Sequence, residues 1–271
     1  MSRTWSFYDL RDALTQSDCA ICRLTAEATD QYLESLLWES VNDPEVRHDI
    51  RQARGFCNDH SWRLARHRES LGATIIMNDV LRDMLRVMED AHFQAPPILS
   101  LRRAQEALDP KQPAAATADV VAQLSAQQAC PACVEAETME RVFLSTLIEN
   151  LLGEDGLLAA FESSDGLCLP HFCQALTQVR DKAVFEALVD AQRAIWERLA
   201  DQLSEIVRKA DYRFQDESPG EESGASLRAI AARDQQPGLD KALQNAVHTF
   251  GQIRPASGLS RKLPRFVDPC Q

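Results

Sequence analysis

The sequence predicts an all-α protein made of two similar helical halves, each stapled by a Cys₃His metal site, and a C-terminal extension. Three observations lead to this prediction. A Cys-x-x-Cys pair followed by a Cys-x-x-His pair occurs twice, apolar residues recur three and four positions apart, and no segment alternates convincingly as a strand. Ala, Leu, Glu, Gln and Arg dominate, which favour helices, whereas only 10 of the 271 residues are glycine.

The two halves repeat at a fixed offset. Four residues recur 111 positions later, with 35 positions between the two pairs of each half: Cys19, Cys22, Cys57 and His60 become Cys130, Cys133, Cys168 and His171. The apolar positions Leu33 and Leu36 recur at the same offset as Leu144 and Leu147. Because the ligand-type residues and the apolar positions repeat together without an insertion, we interpret the chain as an internal duplication.

The elements follow in chain order. Residues 7–18 and 24–40 carry apolar positions at helical spacing. Residues 42–55 open with Asn-Asp-Pro, which favours a helix start, and close with Gly55, which suits the residue after a helix end. An amphipathic helix is predicted within 71–93, and its counterpart in the second half within 182–214.

Breaker residues divide the chain into four parts. We expect a first metal-binding repeat at 1–95, a linker at 96–118 and a second repeat at 119–214. Prolines are concentrated around the linker. Residues 215–271 form an acidic loop and a partly loose C-terminal extension in this prediction.

The repeated cysteines and histidines predict two zinc ions per chain. Zinc favours four ligands in a tetrahedron, and three cysteines with one histidine are a usual closed structural set. Two ligands three residues apart at a helix start can point at one ion, and helix N-termini also favour thiolates. Because each half has a complete set, we expect one site from Cys19, Cys22, Cys57 and His60, and the other from Cys130, Cys133, Cys168 and His171.

Other readings of these residues stay open. An iron–sulfur cluster with the same ligands is the runner-up, although clusters usually take four cysteines. One cluster shared by the two Cys-x-x-Cys pairs is a further alternative to two separate sites. Cys173 has no counterpart in the first half, where Trp62 occupies the position, so we expect it outside the ligand set. A spare thiol there would make the second site the more reactive one. Cys270 is expected to be free.

Composition argues against several classes of protein. The formal net charge is −12, so a nucleic-acid partner is not expected. No run of 18 apolar residues and no signal-peptide pattern is visible, so the chain is expected to be cytoplasmic and not membrane-bound. In a reducing compartment the eight cysteines favour metal ligands, catalytic thiols or core positions over disulfides.

The stretches "RDALTQSDCAICRL", "GFCNDH", "CPAC", "GLCLPH" and "IVRKADYRFQDESPGEE" together resemble an uncharacterised bacterial family. The resemblance covers roughly residues 8–230. It implies an all-helical, duplicated protein with Cys-x-x-Cys and Cys-x-x-His in each half, and it implies no activity.

Three functions compete at this point. The first is a non-enzymatic zinc-binding scaffold or adaptor that binds a protein partner. The second is a redox-sensing or metal-handling protein that uses the same thiolates. The third, an enzyme with an open metal position or an iron–sulfur centre, is ranked last because no general base recurs with the motifs. The sequence contains no Gly-rich phosphate loop, nucleophile elbow or His-Glu-x-x-His motif.

Overall fold

The protein is all helical, as its sequence predicts. The structure, a computed structural model, describes residues 4–66, 70–93, 117–153, 155–214, 217–218 and 220–233. Within those ranges it contains helices and no strand. The α-helices are α1 (Trp5–Ala13), α2 (Ala20–Ser35), α3 (Pro44–Gln52), α4 (Asn58–Arg66), α5 (Ser70–Glu89), α6 (Ala118–Leu124), α7 (Pro131–Glu149), α8 (Leu158–Ser163), α9 (Leu169–Gln178), α10 (Lys182–Lys209) and α11 (Ala225–Arg233).

Local sequence explains several helix boundaries. The Asp43 carboxylate accepts hydrogen bonds from the first-turn amides of α3, at 2.8 Å from Glu45 N, and Pro44 occupies the first helical position. Asp181 caps α10 in the same way, at 2.8 Å from Ala183 N. A single π-helical segment, Leu36–Ser40, extends α2. These caps satisfy amides that otherwise have no partner within the helix.

Helices α2 and α7, which carry the two Cys-x-x-Cys pairs, pack against each other in opposite directions. The start of α2 shares a core cluster with the end of α7, through Ile21 and Leu147. The end of α2 shares a second cluster with the start of α7, through Leu33 and Ala132. Because the two helices run in opposite directions, their cysteine-bearing N-termini lie at opposite ends of the pair.

Both hydrophobic cores mix residues from the two halves. The first core joins α1 and the start of α2 to α7, α8, α9 and α10, with Phe7, Leu10 and Phe161 among its fully buried side chains. The second joins α3, α4 and α5 to the end of α2 and the start of α7. A buried hydroxyl pair adds a polar link, with Ser6 Oγ at 2.9 Å from Thr146 Oγ1. Burial of this shared apolar surface holds the halves together.

The C-terminal extension begins with a helix that the sequence analysis does not assign. Helix α11 packs on α9 and α10. The turn before it is fixed by Glu222, which is 8% exposed and lies 2.7 Å from Lys209 Nζ. The remaining residues of the extension, with Cys270, lie outside the described residues, as does nearly all of the predicted linker.

Two pairs of corresponding helices in the two halves begin at matching positions. Helix α7 starts 111 residues after α2, and α9 starts 111 residues after α4. The duplication of the chain stays a prediction, since superposition of the halves is the observation that would decide it. None of the helices in the described ranges has the length and apolar character needed to cross a membrane.

Candidate metal centres

All eight predicted ligands lie at helix N-termini. Cys19, Cys130 and Cys168 are the N-cap residues of α2, α7 and α9, and Cys57 directly precedes α4. The second member of each pair lies three residues later, in the first turn. Residues three apart in a helix lie on one face, so each pair presents two ligand atoms together. The positive end of the helix dipole also favours the thiolate form.

The structure gathers these residues into two groups of four. Each group has four ligand atoms, which all lie within 4.8 Å of one another. We call the groups centre A, with Cys19, Cys22, Cys168 and His171, and centre B, with Cys57, His60, Cys130 and Cys133. Each centre therefore has three sulfur atoms and one imidazole nitrogen, as the sequence predicts.

In centre A the imidazole Nδ1 atom faces the three sulfur atoms. His171 Nδ1 lies 3.1 Å from Cys168 Sγ, 3.2 Å from Cys22 Sγ and 3.5 Å from Cys19 Sγ. Cys22 Sγ and Cys168 Sγ are 3.6 Å apart. Cys19 and Cys168 are 4% and 2% exposed, so most of this centre is enclosed by the first core.

Centre B has the same arrangement at the other end of the α2–α7 pair. His60 Nδ1 lies 3.2 Å from Cys57 Sγ, 3.3 Å from Cys133 Sγ and 3.6 Å from Cys130 Sγ. Cys133 Sγ and Cys57 Sγ are 3.7 Å apart. All three cysteines are partly exposed, so this centre lies nearer the surface.

These spacings fit a single tetrahedral ion. Zinc binds sulfur at about 2.3 Å and nitrogen at about 2.0–2.1 Å, which places the ligand atoms of a tetrahedron roughly 3.5–3.8 Å apart. The distances from each imidazole nitrogen to its three sulfur atoms and the Cys22–Cys168 and Cys133–Cys57 sulfur distances, 3.1 to 3.7 Å, lie near that range, and all ligand atoms of each centre lie within 4.8 Å of one another. The residues present therefore suit a metal ion with a closed set of four protein ligands.

The predicted pairing within each half is wrong. Each centre combines the Cys-x-x-Cys of one half with the Cys-x-x-His of the other, so Cys19 and Cys22 meet Cys168 and His171. The first half's own pair, Cys57 and His60, lies at the far end of α2, which is about 24 Å long. The equal gaps of 35 residues do not tell whether a Cys-x-x-Cys pair groups with the Cys-x-x-His of its own half or of the other half. Both arrangements leave the two gaps unchanged.

Hydrogen bonds between the halves hold each exchanged arrangement in place. The chain entering centre A is fixed where Asp18 N donates to Asp165 Oδ2 at 2.8 Å. The chain entering centre B is fixed where Gln127 N donates to Gln52 O at 2.8 Å. In both cases the segment before a Cys-x-x-Cys contacts the segment before the Cys-x-x-His that completes its centre.

The two glycines before the Cys-x-x-His pairs adopt the left-handed conformation that the sequence predicts. Gly55 has φ 93° and Gly166 has φ 75°. Helix α3 ends at Gln52 with Ala53 as its C-cap, however, so the C′ residue is Arg54, with φ 57°, and the predicted C′ position is off by one. The Arg54 guanidinium lies 2.5 Å from Asp83 Oδ2, a contact that holds this strained residue.

A buried glutamine supports the turn before Cys168. Gln192 is fully buried, and its side chain accepts a hydrogen bond from Leu167 N at 2.9 Å and donates one to Leu167 O at 3.2 Å. A Cβ on Gly166 would lie 2.7 Å from Gln192 Nε2. The missing side chain at Gly166 therefore makes room for the amide that fixes the backbone of the metal-binding turn.

In centre A the Cys19 thiolate lies beside the protonated imidazole of His171. Burial by itself raises the pKa of Cys19, but hydrogen bonds from Cys168, Cys22 and His171 hold that pKa well below its ordinary value. Burial lowers the pKa of His171, whereas Cys168, Cys19 and Glu140 together raise it to about 12. A bound metal would replace the proton on Nδ1, because metal-binding histidine is neutral.

Glu140 is a functional residue that the sequence analysis missed. Its Oε1 lies 3.0 Å from His171 Nε2, on the side of the ring that faces away from the sulfur atoms. A carboxylate at this place fixes the tautomer and orientation of a metal-binding histidine. Glu140 follows Cys133, a residue of centre B, by seven positions on α7, and no spacing in the sequence links Glu140 to His171.

Cys173 and the other described histidines lie outside both centres. Cys173 belongs to neither group and is exposed on α9, as expected for a residue outside the ligand set. His48 and His92 lie exposed outside both centres, and His67 and His248 lie outside the described residues. The greater reactivity predicted for the second site stays untested.

A cavity borders centre A. It has a volume of about 360 Å³ and lies between α10, α11 and the segments that carry Cys19 and Cys168. Arg228 Nη2 donates to Gln202 Oε1 at 2.6 Å across this space, which ties α11 to α10. The two cysteines nevertheless stay almost fully buried, so the cavity gives solvent little access to their sulfur atoms.

Comparison with known proteins agrees with the resemblance drawn from the motifs. Over 195 residues the chain is 23% identical to an uncharacterised 23.9 kDa protein encoded in the xynA 3′ region of Caldicellulosiruptor sp. (strain Rt8B.4), which covers 72% of this chain and 83% of that protein. No solved structure matches the chain. A family model matches residues 1–236, which include both centres and α11, and the chain therefore belongs to the family of unknown function DUF6062.

Proposed function

We propose that the protein is a non-enzymatic zinc-binding helical scaffold whose two Cys₃His centres join its halves. The observation that carries this proposal is the convergence of eight ligands from distant segments into two groups of tetrahedral size. Four protein ligands leave no open position for a substrate, which is the usual arrangement of a structural zinc site and unlike a catalytic one.

Zinc is proposed over an iron–sulfur cluster because of the spacing of the sulfur atoms. In a cluster the cysteines bind different iron atoms of a multi-atom core, so their sulfur atoms lie farther apart than around a single ion. Here the ligand atoms of each group all lie within 4.8 Å of one another. The proposal is therefore two single ions for each chain.

The proposed scaffold function also implies a binding partner and a cellular compartment. A scaffold acts by binding, so we propose a protein partner, with neither nucleic acid nor membrane as the expected ligand, since the net charge is −12. Cysteines stay reduced in a reducing compartment and can therefore bind metal there, which supports a cytoplasmic location. A metal-handling function is the second candidate, favoured by the partial exposure of centre B.

Metal content tests the proposed function directly. Protein purified without added chelator is expected to contain two zinc ions per chain by atomic absorption and to show no visible absorption band. Cys57→Ser and Cys168→Ser are each expected to lower the content to one. A chain that binds no zinc under reducing conditions, or a brown protein with iron and acid-labile sulfide, would overturn the proposal.

A further inference from the structure

The two centres differ in how far they are enclosed. In centre A, Cys19 and Cys168 are 4% and 2% exposed and His171 is 9% exposed, so Cys22 is its one partly exposed member. In centre B the three cysteines are all partly exposed, and so is His60. A competing ligand must reach the metal or its sulfur atoms to displace them, so solvent access favours exchange at centre B.

The two centres also differ in the support of their histidines. His171 Nε2 contacts the Glu140 carboxylate at 3.0 Å, which strengthens the imidazole as a ligand. Among the described residues no carboxylate lies within ion-pair distance of His60 Nε2. The position that corresponds to Glu140 in the first half is Thr29, whose hydroxyl donates to Thr25 O at 2.7 Å within α2.

The surrounding helices add to this difference. Cys19 and Cys168 are themselves members of the first core, with α1 and α10 packed around them. At centre B only Cys130 packs against a core, from its edge. Opening centre A therefore requires separation of buried apolar surface, whereas opening centre B disturbs a partly solvated end of the bundle.

From these differences we propose that centre A holds its metal permanently and that centre B is an exchangeable centre, which passes a zinc ion to and from competing ligands. This inference rests on the proposed zinc binding and assigns different roles to the two sites. The groups that exchange are the Cys57, Cys130 and Cys133 thiolates and the His60 imidazole. The metal-handling function, if present, then belongs to centre B alone.

Zinc release from the intact two-zinc chain tests the proposal. We expect an excess of the chromophoric chelator 4-(2-pyridylazo)resorcinol to remove one equivalent in a fast phase and the second at least about tenfold more slowly. Parallel alkylation with iodoacetamide and peptide mapping should label Cys57, Cys130 and Cys133 during the fast phase. Cys19 and Cys168 should be labelled only in the slow phase. Exposed Cys173 is the reference for an accessible thiol.

Glu140→Gln tests the role of the histidine support. Loss of such a carboxylate typically weakens metal binding about 10–100-fold, so we expect the slow phase to accelerate within that range while the fast phase stays unchanged. Glu137→Gln, an exposed change one turn earlier on the same helix, is the matched control and should alter neither phase.

The possible outcomes distinguish a failure of the proposed zinc binding from a failure of the proposed exchange at centre B. A chain without bound zinc would defeat the proposed function before any release is measured. Release of two equivalents in one phase, or earlier labelling of Cys19 and Cys168, would overturn the exchangeable centre while leaving zinc binding intact. The wild-type measurement decides this even if Glu140→Gln fails to fold.

Discussion

At the scale of single residues, the geometry of centre A depends on groups that never touch the ligand atoms. The Gln192 amide pairs with both backbone groups of Leu167, which directly precedes Cys168. A buried backbone N–H or C=O that loses its partner costs about 1–3 kcal/mol. Gln192 therefore links α10 to the turn that presents a metal ligand.

We predict that Gln192→Leu destabilises the protein by about 2–4 kcal/mol, because it leaves the N–H and C=O of Leu167 buried without partners. Urea denaturation measures the change, and zinc content should fall at centre A alone. Gln31→Leu, at an exposed position of α2, is the control and should stay within about 0.5 kcal/mol of wild type. Equal stability of the two variants would show that the Gln192 hydrogen bonds are dispensable.

At the scale of elements, an ion-pair network fastens α3 to α5 beside centre B. The Asp79 carboxylate on α5 forms ion pairs with two arginines of α3, Arg47 at 3.0 Å and Arg51. The Asp79 side chain is 18% exposed. Burial would raise the pKa of Asp79, but the two guanidinium groups outweigh it and lower that pKa. The charged form of Asp79 therefore stabilises the folded state.

Asp79→Asn should lower the free energy of unfolding at pH 7 by about 1–2 kcal/mol. Because the folded-state pKa lies below the unfolded value of about 3.9, this stabilisation is fully present above that value. It is lost as pH falls through the folded-state pKa, so the wild type and the variant should converge once the pH lies below that pKa. Denaturation at several pH values measures this, with exposed Glu89→Gln on α5 as the control. A gap that stays constant down to pH 2 would contradict the role of the Asp79 charge.

The elements also show which parts of the fold were predictable from the sequence. Helical spacing, the Asp43 cap and the glycines before the Cys-x-x-His pairs are local features, so the periodicity and turn chemistry of the chain indicate them correctly. Residue type and spacing predicted which cysteines and histidines gather into groups of three cysteines and one histidine. The choice of partner pair, the contact of Glu140 with His171, and helix α11 depend on packing between distant segments. A local pattern in one sequence does not contain that information.

At the scale of the whole molecule, the metal centres and the hydrophobic cores both lie between the two halves. Each centre joins one half to the other, and each core contains side chains from both. Because binding to the folded state alone stabilises it, zinc removal should weaken both halves together.

We expect EDTA under reducing conditions to lower the melting temperature by more than about 10 °C, and renewed zinc to restore it. Differential scanning calorimetry should show a single transition in the zinc-loaded protein, because both cores and both centres contain residues from each half. A melting temperature that is unchanged by chelation would show that the centres do not contribute to stability.

The exchange of ligand pairs between the halves is tested most directly by thiol protection in Cys168→Ser. The zinc-loaded variant is treated with N-ethylmaleimide and mapped by mass spectrometry. We predict modification of Cys19 and Cys22, which have lost a ligand partner from the other half, while Cys57, Cys130 and Cys133 stay protected. Cys57→Ser should give the reverse pattern. Modification of Cys130 and Cys133, with Cys19 and Cys22 protected, would instead show that each half binds its own metal.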